Sequence, residues 1–213
     1  MGSPIPPVRA ADVTGSLPVT ILGGYLGAGK TTLLNHLLRS SGERIAVIVN
    51  DFCDVNIDAD LIESTDGDTI ALANGCICCS LVDGFGAALA AVQQSDPPPD
   101  RLVIEASGVA DPGQLAAYAH GPGLRLDGVI TVIDAEQVRK QAQNEYIADV
   151  VEMQIKAADL LVLNKVDLVD HADVPALTEW LSNRTSASIL PAARAEVAIE
   201  LLLGAVDPAT GRG

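Results

Sequence analysis

Gly24-Tyr25-Leu26-Gly27-Ala28-Gly29-Lys30-Thr31 decides the fold of this 213-residue chain. It fits the pattern G-x-x-x-x-G-K-[ST], a loop that joins a buried strand to a helix and cradles phosphate. The flanks agree. Val19-Thr20-Ile21-Leu22 is apolar and largely β-branched, and Leu33, Leu34, Leu37 and Leu38 recur at helical spacing beyond the loop. Glycines let successive backbone N–H groups turn inward around phosphate oxygens. The helix N-terminus adds unsatisfied N–H groups and partial positive charge. Lys30 brings a full charge to the β- and γ-phosphates, and the Thr31 hydroxyl is placed to ligate Mg²⁺. Gly24, Gly27, Ala28, Gly29, Lys30, Thr31 and Thr32 are the expected phosphate-binding set. The alternative, an ordinary glycine turn into a helix, does not need the lysine or the hydroxyl.

Composition supports the same class. Hydrophobic residues make up 48% of the chain and aromatics only 3%, so the core is aliphatic, as in a parallel sheet covered by helices. A formal charge of −15 repels nucleic acid at long range, whereas backbone amides and one lysine can still hold a nucleotide. An acidic surface also gathers cations. Residues 1–17 hold three prolines and two glycines and are expected to form a flexible leader. They contain no apolar core of signal-peptide length, and no later run reaches the eighteen or so apolar residues that span a bilayer. The expectation is a cytoplasmic protein without membrane partners, whose four cysteines stay reduced.

Strand and helix patterns alternate along the chain. Arg44–Val49 reads as a second strand, followed by an acidic stretch through Asp58, Asp60, Glu63, Asp66 and Asp68 expected to form a loop and small edge hairpin. Thr69–Ala73 reads as a strand, 81–92 as a helix, and 101–104 as a central strand. Asp111-Pro112 has the N-cap then N1 order of a helix start. Residues 128–133 and 160–163 read as strands, 135–157 as largely helical, Val174, Leu177 and Leu181 as a helix stripe, 188–190 as a short strand and 196–203 as a last helix. This rhythm predicts a three-layer α/β/α sandwich with a mainly parallel sheet. The expected organisation is a leader (1–17), a nucleotide-binding domain (18–206) and a flexible tail (207–213).

Asn164-Lys165-Val166-Asp167, closing an all-apolar strand, fits the guanine-reading pattern N-K-x-D. The Asp167 carboxylate can accept from guanine N1–H and the 2-amino group, a pairing that adenine does not offer. Lys165 is expected along the base and the phosphate loop, and the segment Pro191-Ala192-Ala193 is expected near the base through a backbone N–H of its alanines. Glu105, at a strand end, fits the acid that holds Mg²⁺ or its waters, and Gly108 the amide that follows the γ-phosphate; a helix-capping carboxylate is the plain alternative. His36, off the leucine stripe, is expected in solvent, His120 and His171 lie in loops, and Asp134 is expected only to cap the following helix.

Cys76, Cys78 and Cys79 fall within four residues. In a reducing compartment such a cluster points to Zn²⁺, Cu⁺ or Co²⁺ before a disulfide, while small buried hydrophobes are the alternative. Two thiolates plus another ligand suit one ion better than adjacent Cys78 and Cys79 together. The stretches G-G-Y-L-G-A-G-K-T-T-L-L-N, N-G-C-I-C-C-S, E-A-S-G-V-A-D-P, T-V-I-D-A and N-K-V-D-L, in this order, resemble the CobW-type metallochaperone GTPases, sister to the hydrogenase and urease nickel-insertion GTPases. The resemblance runs from about residue 18 to 206.

It implies a P-loop GTPase domain that binds GTP·Mg²⁺, hydrolyses GTP to GDP, and hands Zn²⁺ or Co²⁺ to a client metalloprotein. Turnover is expected to be slow alone, because no glutamine or arginine finger is identifiable in the sequence. It implies further that Cys76, Cys78 and Cys79 carry the metal, assisted by acids of the 51–54 loop such as Asp54, and it admits a nucleotide-dependent homodimer. The family commonly has glycine then glutamate where this chain has Cys53 and Asp54. Cys53 is either a fourth thiolate or a tolerated loop replacement. Ala106 lacks a hydroxyl often found before Ser107, and the family's C-terminal domain is not in this sequence. The rival expectation is a non-catalytic, GTP-dependent metal sensor or assembly switch.

Overall fold

The computed structural model describes residues 16–49, 62–66, 69–72, 77–80 and 84–203. In chain order they form β1 (Leu17–Gly24), α1 (Lys30–Ser40), β2 (Ile45–Val49), β3 (Ile62–Asp66), β4 (Thr69–Leu72), β5 (Ile77–Ser80), α2 (Phe85–Gln94), β6 (Arg101–Glu105), α3 (Pro112–Tyr118) and β7 (Leu124–Asp134). There follow α4 (Val138–Gln141), α5 (Ala148–Ala157), β8 (Leu160–Asn164), α6 (Asp173–Ser182), β9 (Ser188–Pro191) and α7 (Ile199–Leu203). The described strands make one sheet in the order β3-β4-β5-β2-β6-β1-β7-β8-β9. From β5 to β9 every neighbouring pair is parallel, and β3–β4–β5 forms an antiparallel margin. Among the described residues no helix is long and apolar enough to cross a membrane.

The parallel strands are apolar on both sides because both faces are covered. Val47 and Val49 pack with α1 and α7, while the alternate residues Ala46 and Ile48 pack with α2 and α3. Ile133, Leu161 and Leu163 meet α4, α5 and α6 on that second face. Helix α1 explains its own placement: Leu33, Leu34, Leu37 and Leu38 form one stripe, each at most 4% exposed. A three-layer α/β/α sandwich results, as expected from the sequence. The acidic stretch expected to hold a small edge hairpin supplies one of its strands, β3, and the other is β4, the strand expected separately from Thr69.

Several boundaries depart from expectation. The stretch 135–157 is not one helix but two, α4 and α5. Between them the Asn144 carboxamide accepts the Tyr146 N–H at 2.9 Å, a local turn that competes with helix continuation. Ile77–Ser80, between the strand expected at 69–73 and the helix expected at 81–92, is itself a strand, paired parallel with β2 through Ala46–Ile77, Val47–Cys78, Ile48–Cys79 and Val49–Ser80. His36 is half-buried, its Nε2 within 2.8 Å of the Val197 carbonyl oxygen, and so fastens α1 to the segment before α7.

Candidate functional site

Central strand β1 delivers the phosphate loop to the C-terminal edge of the sheet, the edge where parallel α/β sheets bind ligands. Gly24, Gly27 and Gly29 have φ values of 136°, 75° and 108°. Gly29, the residue before α1, also has no room for a side chain, because a Cβ there would strike the Asn164 carboxamide. Lys30 is buried and folds back over its own loop, donating to the Gly24 carbonyl at 2.9 Å and to that of Tyr25 at 3.5 Å. Those carbonyl oxygens stand where an anion's oxygens would be the stronger partners. Burial holds the Lys30 ammonium below the usual lysine range, and the Glu105 charge opposes this.

Glu105 ends β6 in the row of Leu22 on β1 and Val49 on β2. Its Oε1 accepts the Thr31 hydroxyl at 3.0 Å. Burial raises its carboxyl above the usual range, more than the Thr31 hydrogen bond and the Lys30 charge lower it. A hydroxyl and a carboxylate in contact, within the field of a buried cation, supply the hard oxygens that Mg²⁺ takes. Gly108 lies three residues on, pressed against the loop: a Cβ there would stand 2.9 Å from the Leu26 backbone nitrogen. Between them Ala106 donates its N–H to the Leu22 carbonyl at 2.9 Å, which fixes the chain as it leaves β6. Asp111 caps α3 as expected, accepting the Gly113 N–H at 2.8 Å.

The segment expected to read the base follows β8. Asn164 is 2% exposed and braces two loops: its Nδ2 donates to the Ala28 carbonyl at 2.9 Å and its Oδ1 accepts the Ala195 N–H at 2.7 Å. Lys165 turns the chain with φ 62° and pairs with Asp134 Oδ2 at 2.7 Å. Asp134 therefore does more than cap; its other oxygen accepts the Glu136 and Gln137 N–H groups at 2.9 and 3.2 Å. A carboxylate ending the strand beside β8 was the available clue. Asp167 lies in the 3₁₀ turn Val166–Leu168, exposed. The Ala192 N–H is engaged by the Leu163 carbonyl at 2.8 Å, so it is not free for a base. Ala195 was not anticipated; it is held at φ 59° by the Asn164 bond.

Cys53, Asp54 and Cys76 lie outside the described residues. Cys78 and Cys79 occupy adjacent register positions on β5. Ser80, the next residue, shares its row with Val49, and Val49 shares its row with Glu105. Two strand spacings of about 4.8 Å put the end of β5 about 10 Å from the end of β6. Both ends face the same edge of the sheet as the phosphate loop.

A model of the CobW/HypB/UreG nucleotide-binding domain matches residues 18–190. "Zinc chaperone CobW" of Sinorhizobium sp is 36% identical over 222 residues, an alignment covering 89% of this chain and 63% of that protein. "Zinc-regulated GTPase metalloprotein activator 1" of Schizosaccharomyces pombe is 39% identical over 165 residues, covering 72% of this chain and 40% of its own. The crystal structure of Zn(II)-bound YjiA GTPase from E. coli superposes with a TM-score of 0.71 at 33% identity, covering 89% of this chain and 62% of that one. The chain thus spans about 40 to 63% of the length of these relatives. The phosphate loop, the acid ending β6 and the Asn164–Asp167 turn all fall inside the matched span, and the chain belongs to the CobW/HypB/UreG nucleotide-binding domain family.

Proposed function

We propose that the chain binds GTP with Mg²⁺, hydrolyses it to GDP, and uses that cycle to take up and hand over Zn²⁺ or Co²⁺ to a client protein in the cytoplasm. The observation that carries this is the shared row of Ser80, Val49 and Glu105, which brings the cysteine strand and the Mg²⁺-type acid to one edge. A triphosphate takes over Lys30 from the Gly24 and Tyr25 carbonyls, so the buried ammonium gains anionic partners. Thr31 and Glu105 would hold Mg²⁺, whose charge neutralises what develops on the transferred phosphoryl oxygens. The ionised Glu105 carboxylate, which burial opposes, would be favoured by Mg²⁺ held there. Gly108, flush against Leu26, offers its N–H to the γ-phosphate. Asp167 reads the guanine edge while Asp134 steadies Lys165 beside it.

Cys76, Cys78 and Cys79, with Asp54 and Cys53 as further candidates, would receive the transition metal as cargo. Thiolates suit Zn²⁺ and Co²⁺, whereas the Thr31–Glu105 oxygens suit Mg²⁺, so the two ions are sorted by donor chemistry. The relatives named as zinc chaperone and zinc-regulated GTPase support this reading. The test is linkage. Zn²⁺ affinity, measured with GDP and with a non-hydrolysable GTP analogue bound, is expected to differ between the two states. The Cys78→Ala and Cys79→Ala variants are expected to weaken Zn²⁺ binding. Equal Zn²⁺ affinity in both nucleotide states would remove the coupling. Tight GTP binding without turnover, with or without Zn²⁺ or Co²⁺, would leave a sensor in its place.

A further inference from the structure

Helix α5 carries a polar residue where its stripe calls for an apolar one. Val151 and Ile155 face the core, and Gln154, on the same face, is 1% exposed. A buried carboxamide needs partners, and these lie at the nucleotide site. Gln154 Nε2 donates to the Gly108 carbonyl at 3.2 Å and to the Ala110 carbonyl at 3.1 Å. Its backbone carbonyl, one of the last of α5, accepts the hydroxyl of Thr131 on β7 at 3.2 Å. Thr131 is paired with Gly23, the residue just before the phosphate loop. At Gly23 a Cβ would stand 3.0 Å from Pro112, so the end of the 106–111 segment is packed against β1 as well.

We propose that Gln154 is a positioning residue for γ-phosphate recognition: it holds the Gly108 and Ala110 carbonyls so that the Gly108 N–H faces the phosphate. The local backbone explains how. The Ser107 carbonyl accepts the Ala110 N–H at 3.0 Å, and in a trans peptide the Gly108 N–H points away from that carbonyl. No described residue accepts the Gly108 N–H. Gln154 closes the other side of the turn and keeps Gly108 against Leu26. Without it, the buried Gly108 carbonyl and the part-buried Ala110 carbonyl lose this donor and the loop is free to rotate its peptides. A donor aimed before the ligand arrives costs less to bind than one ordered on arrival. GDP has no γ-phosphate, so the effect belongs to GTP alone.

The inference rests on reading Gly108 as the γ-phosphate contact, and the experiment separates the two. Affinities for mant-GDP and mant-GppNHp, both with Mg²⁺, are measured for the wild type, Gln154→Met, Gln154→Glu and Gly108→Ala. A partly unfolded variant weakens both nucleotides by the same factor, so their ratio is independent of folding. Each Gln154 variant is expected to lower the GppNHp-over-GDP ratio about tenfold, and Gly108→Ala to lower it at least as much. An unchanged ratio in both Gln154 variants, with a lowered one in Gly108→Ala, overturns the role of Gln154 and leaves Gly108 in place. An unchanged ratio in Gly108→Ala overturns both, since the route runs through that residue.

Discussion

Glu105 is held between opposing demands. Its strand end is buried enough to raise the carboxyl above the usual range, although Thr31 donates to it and Lys30 lies near. A carboxyl with a raised folded-state pKa stabilises the fold below its unfolded value and loses that contribution as pH rises through the folded one. At pH 7 the nucleotide-free chain therefore carries a cost that glutamine avoids, because glutamine keeps an oxygen for the Thr31 hydroxyl and never ionises. Glu105→Gln is expected to melt higher than the wild type at pH 7, with the gap closing as pH falls toward 5, and to lose about a hundredfold or more in GTP turnover. Melting curves across that range and a phosphate-release assay check both halves; a variant that melts lower at pH 7 contradicts the sign. Asp134 makes a second residue-level case. Asparagine there keeps an acceptor for Glu136 and Gln137 but removes the charge facing Lys165. With Lys165 about one-third exposed, the pair contributes about 1 kcal/mol to the fold, so Asp134→Asn is expected to melt about 2–4 °C below the wild type, and to weaken GDP binding about twofold to fivefold in a titration because Lys165 is no longer steadied beside the base.

At the scale of elements, strand-loop-helix units were legible because their patterns are local. The apolar run before Gly24 and the leucine stripe after Lys30 state β1 and α1 without reference to the rest of the chain. Loops that brace one another were not legible, since such a contact joins residues far apart in sequence. Asn164 shows this. Its motif placed it at the base, yet its carboxamide ties Ala28 to Ala195, across 136 residues in one direction and 31 in the other. The break between α4 and α5 was hidden for another reason: one Asn144 side chain outcompetes a helix that the surrounding composition favours. Asn164→Ala leaves a buried carbonyl and a buried N–H without partners, each worth about 1–3 kcal/mol. The expected loss is roughly 2–4 kcal/mol in urea unfolding, together with at least a tenfold loss of GDP affinity, because both loops lose their common support. A stability loss without an affinity loss would make Asn164 a brace of the fold alone.

Across the whole molecule the sheet separates chemistry from fastening, and β6 carries both. Glu105 ends the strand at the nucleotide edge; Arg101 begins it, about 13 Å away at the strand rise of ~3.3 Å per residue. Arg101 is 7% exposed and joins four parts of the chain. It donates to Glu43 at 3.0 Å, to Asp127, to the Thr20 hydroxyl at 3.3 Å and to the Leu203 carbonyl at 3.5 Å. The last contact holds the end of α7, so the final described helix is pinned to the edge opposite the phosphate loop. None of this was legible from sequence, where Arg101 reads as the first polar residue of an apolar strand. The strand order that brings Glu43, Asp127 and Leu203 around it is a property of the folded sheet. Arg101→Met keeps the length and removes the charge, leaving Asp127 buried without its main cation. Breaking such a pair costs about 3–5 kcal/mol, and the lower end applies because Arg125 remains 3.5 Å from the other Asp127 oxygen. If the two edges are independent, urea unfolding of Arg101→Met shows a loss of about 3 kcal/mol while GDP affinity, measured well below the transition, stays within twofold. A tenfold loss of affinity in the folded variant would mean that the fastening edge also sets the geometry of Glu105.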